Sequence, residues 1–216
     1  MTIYYQDDHV TLYHGDCLTE HREWLAADVL VTDPPYGSEV LAGGYGRFGR
    51  TIANDSTTEA RDSVLSQFGG PAACFGTPRL PEPPGPWLHR LVWDKVEPGM
   101  NGGPFRYTHE DIYLRGEGWT RTSASAYSIL RFPRSDGMSN EERAQHPHRK
   151  PVRLMETLIE AAPPGVIADP FAGSGSTLVA ARNLGRKAIG VELEEKYCEI
   201  IAKRLAQGAF DFEALA

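Results

Sequence analysis

A chain of 216 residues, 41% of them hydrophobic and 24% charged, has the size and apolar content of one globular domain with its own core. A net charge of −7 excludes a protein that coats nucleic acid by bulk electrostatics, so any contact with a polyanion must be local. Cys17, Cys74 and Cys198 are odd in number and far apart, with no C-x-x-C pair, which argues against a zinc or redox centre; no metal is expected.

Residues 1–8 lack a basic segment followed by an apolar stretch, and no apolar run approaches the roughly 20 residues that span a bilayer, so a soluble, cytoplasmic protein is expected. Residues 10–14 read as a strand, Gly15 and Asp16 as a polar turn, 19–27 as a helix and 29–32 as a continuous apolar strand. Pro34 and Pro35 then forbid both strand and helix, so the chain leaves the sheet there. Residues 38–50 are rich in glycine. Strands are expected at 72–75 and 91–93, with 112–115 pairing with the latter, and a helix over 151–162 opened by proline. From there the pattern is regular: a short strand at 166–168 ending in Asp169, a glycine turn, a helix over 177–184 closed by Gly185, a strand at 187–191 ending at Glu192, and a helix over 194–205. This β-α-β-α order predicts an α/β fold, a doubly wound and mostly parallel sheet with helices on both faces.

Two motifs carry chemistry. In Asp169-Pro170-Phe171-Ala172-Gly173-Ser174-Gly175-Ser176-Thr177, glycines between a strand and a helix let a ligand approach the backbone. Glu192 closes the next strand 19 positions after Gly173, near the spacing at which an acidic residue meets ribose hydroxyls. No Lys follows Gly175, which excludes a phosphate-cradling loop of the G-x-x-x-x-G-K-[ST] type. Asp169 would repel a pyrophosphate and suits a cationic amino group, so a cofactor bearing an amino acid fits better than NAD. In Asp33-Pro34-Pro35-Tyr36, a carboxylate and the Pro34 carbonyl are acceptors only and suit a donor with two hydrogens, an amino group. Tyr36 can stack on a planar base.

The motifs D-P-P-Y-G and D-P-F-A-G-S-G-S-T together resemble those of the DNA amino-methyltransferases, and their order resembles the circularly permuted beta class of that family. Smaller matches agree. Residues 146–151, His-Pro-His-Arg-Lys-Pro, are similar to the H-P-x-x-K-P segment before the cofactor turn; Gly15-Asp16-Cys17 is similar to a turn at the cofactor adenine; Trp93-Asp94-Lys95 and His109-Glu110 are similar to motifs that shape the base pocket. The resemblance implies a Rossmann-like methyltransferase fold over residues 1–216 as a single domain, with 38–145 carrying catalytic-half strands and loops that contact DNA. It implies S-adenosylmethionine as cofactor and double-stranded DNA as partner. Asp33, Pro34, Pro35 and Tyr36 would hold a flipped base. Asp16 and Cys17 would lie at the cofactor adenine, Glu192 at its ribose, Asp169 at its methionine amino group and Lys150 at its methionine carboxylate, with Phe171, Gly173, Ser174, Gly175, Ser176 and Thr177 forming the turn. Asp in the first motif favours adenine N6 over cytosine N4. A homodimer and a companion restriction enzyme are compatible with the resemblance and not required by it.

Residues 101–153 hold nine Lys or Arg against six Asp or Glu, leaving the rest of the chain near −10. Tyr45, Arg47, Phe48 and Arg50, and Arg115, Trp119, Arg121, Arg131 and Arg134, mix aromatic and basic groups as expected for base and phosphate contacts. Ordinary solvated loops account for the same composition. A catalytically idle module that holds DNA or cofactor stays open at this point, and an NAD-dependent oxidoreductase would want a G-x-G-x-x-G turn that is absent.

Overall fold

The computed structural model describes residues 3–37, 57–97, 107–122, 127–134 and 149–213. Among these, the apolar runs form nine strands in one sheet: β1 (Ile3–Gln6), β2 (Val10–His14), β3 (Val29–Thr32), β4 (Ala72–Gly76), β5 (His89–Asp94), β6 (His109–Arg115), β7 (Ile129–Arg131), β8 (Ile167–Asp169) and β9 (Ala188–Glu192). Their spatial order is β1-β2-β9-β8-β3-β4-β6-β5-β7. Only β1 and β6 run against the rest. The other seven strands therefore bring their carboxyl ends to one edge, where open α/β sheets bind ligands.

Among the described residues four α-helices, α1 (Glu59–Gln67), α2 (Val152–Ala161), α3 (Ser176–Asn183) and α4 (Glu195–Glu213), cover the two faces. Alternation along the strands divides the core: Val29 and Val31 pack with Leu154, Leu158, Leu178 and Ile201 of α2, α3 and α4, whereas Leu30 packs with Val64 and Leu65 of α1. Burial on both faces explains why β3 and β4 read as unbroken apolar runs. The predicted β-α-β-α run is β8-α3-β9-α4, and β6 pairs with β5 as expected, antiparallel.

The expected helix over residues 19–27 is only a 3-10 turn, Glu23–Ala26. Asp16 Oδ1 accepts the Leu18 and Thr19 N–H groups at 2.7 and 3.2 Å, and the buried Trp24 indole donates to the Cys17 carbonyl at 2.8 Å, so side-chain bonds hold this segment as a turn. Three elements had no counterpart in the sequence reading. β1 and β7 are short edge strands, and α1 buries only Arg61, Val64 and Leu65, too few for a clear helical period. No helix among the described residues is long and apolar enough to cross a membrane.

Candidate active site

Asp169 ends β8, and Asp33 is the first residue beyond the adjacent β3. Adjacent strands lie about 4.8 Å apart, and the register Val29↔Ile167, Leu30↔Ala168 carries Asp33 two residues past the level of Asp169 at the same carboxyl edge. Thr32 stands between them and donates its hydroxyl to Asp169 Oδ1 at 2.8 Å. On the β9 side of this seam Glu192 ends its strand, and its carbonyl accepts the Gly15 N–H at 3.0 Å, which docks the Gly15-Asp16 turn against it. On the β4 side, the antiparallel β6 brings Glu110 to the same edge, opposite Trp93 of β5.

On the first side Asp169 is buried and accepts from Thr32 and the Phe171 N–H on Oδ1 and from Thr177 at 2.6 Å on Oδ2. Burial pushes its carboxyl up to about 6 despite those bonds. Three of roughly four lone-pair sites are filled, leaving room for one more donor. Burial also pushes the Glu192 carboxyl up to about 7, against hydrogen bonds from the Glu194 and Gly173 N–H groups at 2.8 and 2.7 Å. A cation at Asp169 and hydroxyl donors at Glu192 would each favour the ionised form, so this pair fits a ligand carrying an ammonium and a ribose.

The two glycines of the turn differ. A Cβ on Gly173 would meet nothing closer than the Phe171 carbonyl at 3.9 Å, so its backbone faces open space. A Cβ on Gly175 would lie 2.8 Å from Ile201, so this glycine, left-handed at φ +79°, lets α4 pack against the start of α3. Ser174 accepts Arg204 through its carbonyl, and Ser176 Oγ donates to the Lys150 carbonyl at 2.7 Å, tying the turn to α4 and to the segment before α2. Cys17 is packed beneath the turn with Phe171 nearby, its thiol pushed up to about 12 by burial.

On the second side the Tyr36 hydroxyl donates to Asp33 Oδ1, and the Lys150 ammonium bonds Asp33 Oδ2. Lys150 Nζ is also 3.1 Å from Glu110 Oε2, and Lys95 Nζ donates to Glu110 Oε1 at 2.6 Å. Burial would raise the Glu110 carboxyl, but Lys150 and Lys95 outweigh it and hold the group at about 2. Burial opposes the charge of Lys150, yet Asp33 and Glu110 keep its ammonium above the usual lysine range. Burial and the neighbouring Asp33 and Glu110 raise the Tyr36 phenol well above its ordinary value, so it acts as a donor. Phe75 and Trp93, edge to face at 6.5 Å, wall this pocket beneath Lys150.

The structure moves several predicted residues. Lys150, expected at the methionine end of the cofactor, is buried with its ammonium among Asp33, Glu110 and Tyr36, because the segment before α2 enters the catalytic side. Arg115 and Trp119 are not groups that reach a nucleic acid at this site. β6 runs antiparallel, so Arg115 lies opposite Ala72 at the far edge of the sheet; it is buried and caps α1 by donating to the Leu65 carbonyl at 2.9 Å and to the Phe68 carbonyl. Trp119 packs on the core and donates to the Arg115 carbonyl. Arg121 is exposed just beyond Thr120, whose N–H is tied to the carboxyl end of α2, and so sits at that far edge too. Arg131 does end β7 at the site's edge, 3.3 Å from Asp94, and Arg134 follows it. Tyr45, Arg47, Phe48 and Arg50 lie outside the described residues. Thr32 escaped the sequence reading altogether, because a threonine at the end of an apolar strand carries no distinguishing signal.

A family model described as DNA methylase matches residues 86–203. The YubD protein of Escherichia coli (strain K12) is 34% identical across 89% of this chain and 88% of its own length. The Type II methyltransferase M.ScaI of Streptomyces caespitosus is 27% identical across 94% of this chain and 83% of its own. Among solved structures, the M1.HpyAVI–SAM complex superposes with a TM-score of 0.62 at 23% identity, covering 91% of this chain and 99% of that one. The cytosine-N4-specific PvuII DNA methyltransferase superposes at 0.64 and 16% identity, covering 94% and 88%. At these identities the two structures establish the fold.

Proposed function

We propose, on the premise that this chain belongs to the DNA methylase family, that it moves the methyl group of S-adenosylmethionine to the N6 amino group of an adenine flipped out of duplex DNA. The observation that carries this reading is the seam between β8 and β3, where Asp169 and Asp33 stand on neighbouring strand ends joined through Thr32. A donor anchored at the first carboxylate faces an acceptor amine held at the second.

Asp169 would hold the methionine ammonium, Glu192 the ribose hydroxyls and Asp16 the adenine, with Gly173 presenting open backbone to the ligand. When bound, S-adenosylmethionine supplies an electrophilic sulfonium methyl. The chain's own task is to orient the amine: Asp33 and the Pro34 carbonyl accept its two hydrogens, favouring a pyramidal nitrogen whose lone pair is free of the ring. No proton need be removed before attack, and the charge that develops on nitrogen lies beside the Asp33 carboxylate. Tyr36 would stack on the extruded base, whose removal from the helix costs a few kcal/mol. Arg131 and Arg134, at the same edge, would meet phosphates.

The test is transfer from labelled S-adenosylmethionine to unmethylated genomic DNA followed by nucleoside mass spectrometry. Labelled N6-methyladenine is the expected product. Labelled N4-methylcytosine would replace adenine by cytosine, the base for which the PvuII fold neighbour is specific. Binding of the cofactor without any methylated base would overturn the enzymatic reading in favour of an idle module.

A further inference from the structure

Both oxygens of Asp33 are engaged by the protein's own donors, the Tyr36 hydroxyl on Oδ1 and the Lys150 ammonium on Oδ2. If Asp33 holds the target amine, as the methyl-transfer reading requires, the substrate's N–H donor must share this carboxylate with a lysine N–H donor. The sharing is unfavourable in the reacting state. The amine gains positive charge as the methyl arrives, and a second cation on the same carboxylate in a buried pocket opposes it.

Lys150 has another acceptor within reach. Glu110 Oε2 lies 3.1 Å from its Nζ, while Lys95 at 2.6 Å holds the other Glu110 oxygen in place. The ammonium also lies 5.0 Å from the Phe75 ring centroid and 5.8 Å from that of Trp93, faces that favour a cation as it shifts between carboxylates. Its backbone need not move, since the Lys150 carbonyl is anchored by Ser176 Oγ. The group as a whole, Asp33 and Glu110 against Lys95 and Lys150, balances two negative charges with two positive ones when no substrate is present.

We propose that Lys150 is a placeholder for the target amino group: it occupies Asp33 until a base enters, then gives its hydrogen bond to Glu110, which makes Glu110 a positioning residue for methyl transfer. Glu110 acts only through Lys150, and that dependence is the signature to measure.

The experiment compares the parent chain with Glu110→Gln, Lys150→Met and the combined Glu110→Gln/Lys150→Met variant, recording kcat on unmethylated duplex DNA together with S-adenosylmethionine affinity and thermal unfolding. Glu110→Gln strands the ammonium on Asp33, so kcat falls on the order of 100-fold while cofactor affinity is unchanged. Lys150→Met lowers kcat by less than Glu110→Gln does, and adding it to Glu110→Gln raises the rate back to the Lys150→Met level, a non-additivity a purely structural Glu110 would not show. A combined variant as slow as Glu110→Gln, or a Glu110→Gln rate equal to the parent's, overturns the placeholder. Should Glu110→Gln fail to fold, Glu110→Asp, which draws the carboxylate back by one methylene, is scored for the same rescue. Failure of the parent to methylate any base would instead remove the methyl-transfer reading on which this rests.

Discussion

The two halves of the sheet reach the same edge by different routes. On the side proposed for the cofactor β8, α3, β9 and α4 follow one another without interruption, and Asp169, Gly173 and Glu192 fall within one β-α-β unit. On the side proposed for the target base the pocket is gathered from Asp33, Lys95, Glu110 and Lys150, with the Asp33–Lys150 pair separated by 117 positions. On the proposed reading, a nucleotide-like cofactor would be met by one local supersecondary unit, whereas a pocket for an extruded base would be assembled from distant strands. The halves touch through Thr32 and Asp169, and through Ser176 and the Lys150 carbonyl.

This division predicts separable defects. Asp33→Ala should lower single-turnover methyl transfer by about 10³-fold or more, while calorimetry finds S-adenosylmethionine affinity within about twofold of the parent. A parallel collapse of cofactor binding would erase the distinction between halves. Glu192→Gln should do the reverse, weakening cofactor affinity by about 10- to 100-fold with only a few-fold change in the rate at saturating cofactor.

A subtler effect comes from protonation. In the ligand-free chain Asp169 and Glu192 sit at about 6 and about 7, above their ordinary values, so the folded state holds more protons than the unfolded one between roughly pH 4 and pH 7. Their contribution to stability is therefore greatest at the acid end of that window and is lost as pH rises through those values. Cofactor binding favours the ionised forms, so affinity should climb about tenfold or more from pH 5 to pH 7.5, with proton release seen as a dependence of calorimetric heat on buffer ionisation. A flat affinity profile would show that neither carboxylate meets the ligand. The smallest functional effect is expected from Arg115→Ala, which should cost about 1–3 kcal/mol of stability in denaturant melts and leave DNA affinity unchanged. Weakened DNA binding by a fully folded Arg115→Ala would contradict its placement at the far edge.

The same contrast governs how much was legible beforehand. The run from 166 to 205 could be read almost element by element, because strand, glycine turn and amphipathic helix each leave a local periodic mark. Asp33 and Tyr36 were legible because two prolines punctuate the strand end. Lys150 and Arg115 were misplaced for a common reason: their partners, Asp33 and Glu110 for one and the Leu65 and Phe68 carbonyls for the other, are remote in sequence. A basic residue looks alike in a list whether it meets phosphate, pairs with a buried carboxylate or caps a helix. α1 stayed hidden because it buries too few residues to show a period.

The most direct measurement is a crystal structure of the chain with S-adenosylmethionine. The account predicts the methionine ammonium on Asp169, the ribose on Glu192 and the sulfonium methyl directed across the β8–β3 seam toward Asp33. A cofactor seated away from that seam, or with its methyl turned from Asp33, would contradict it.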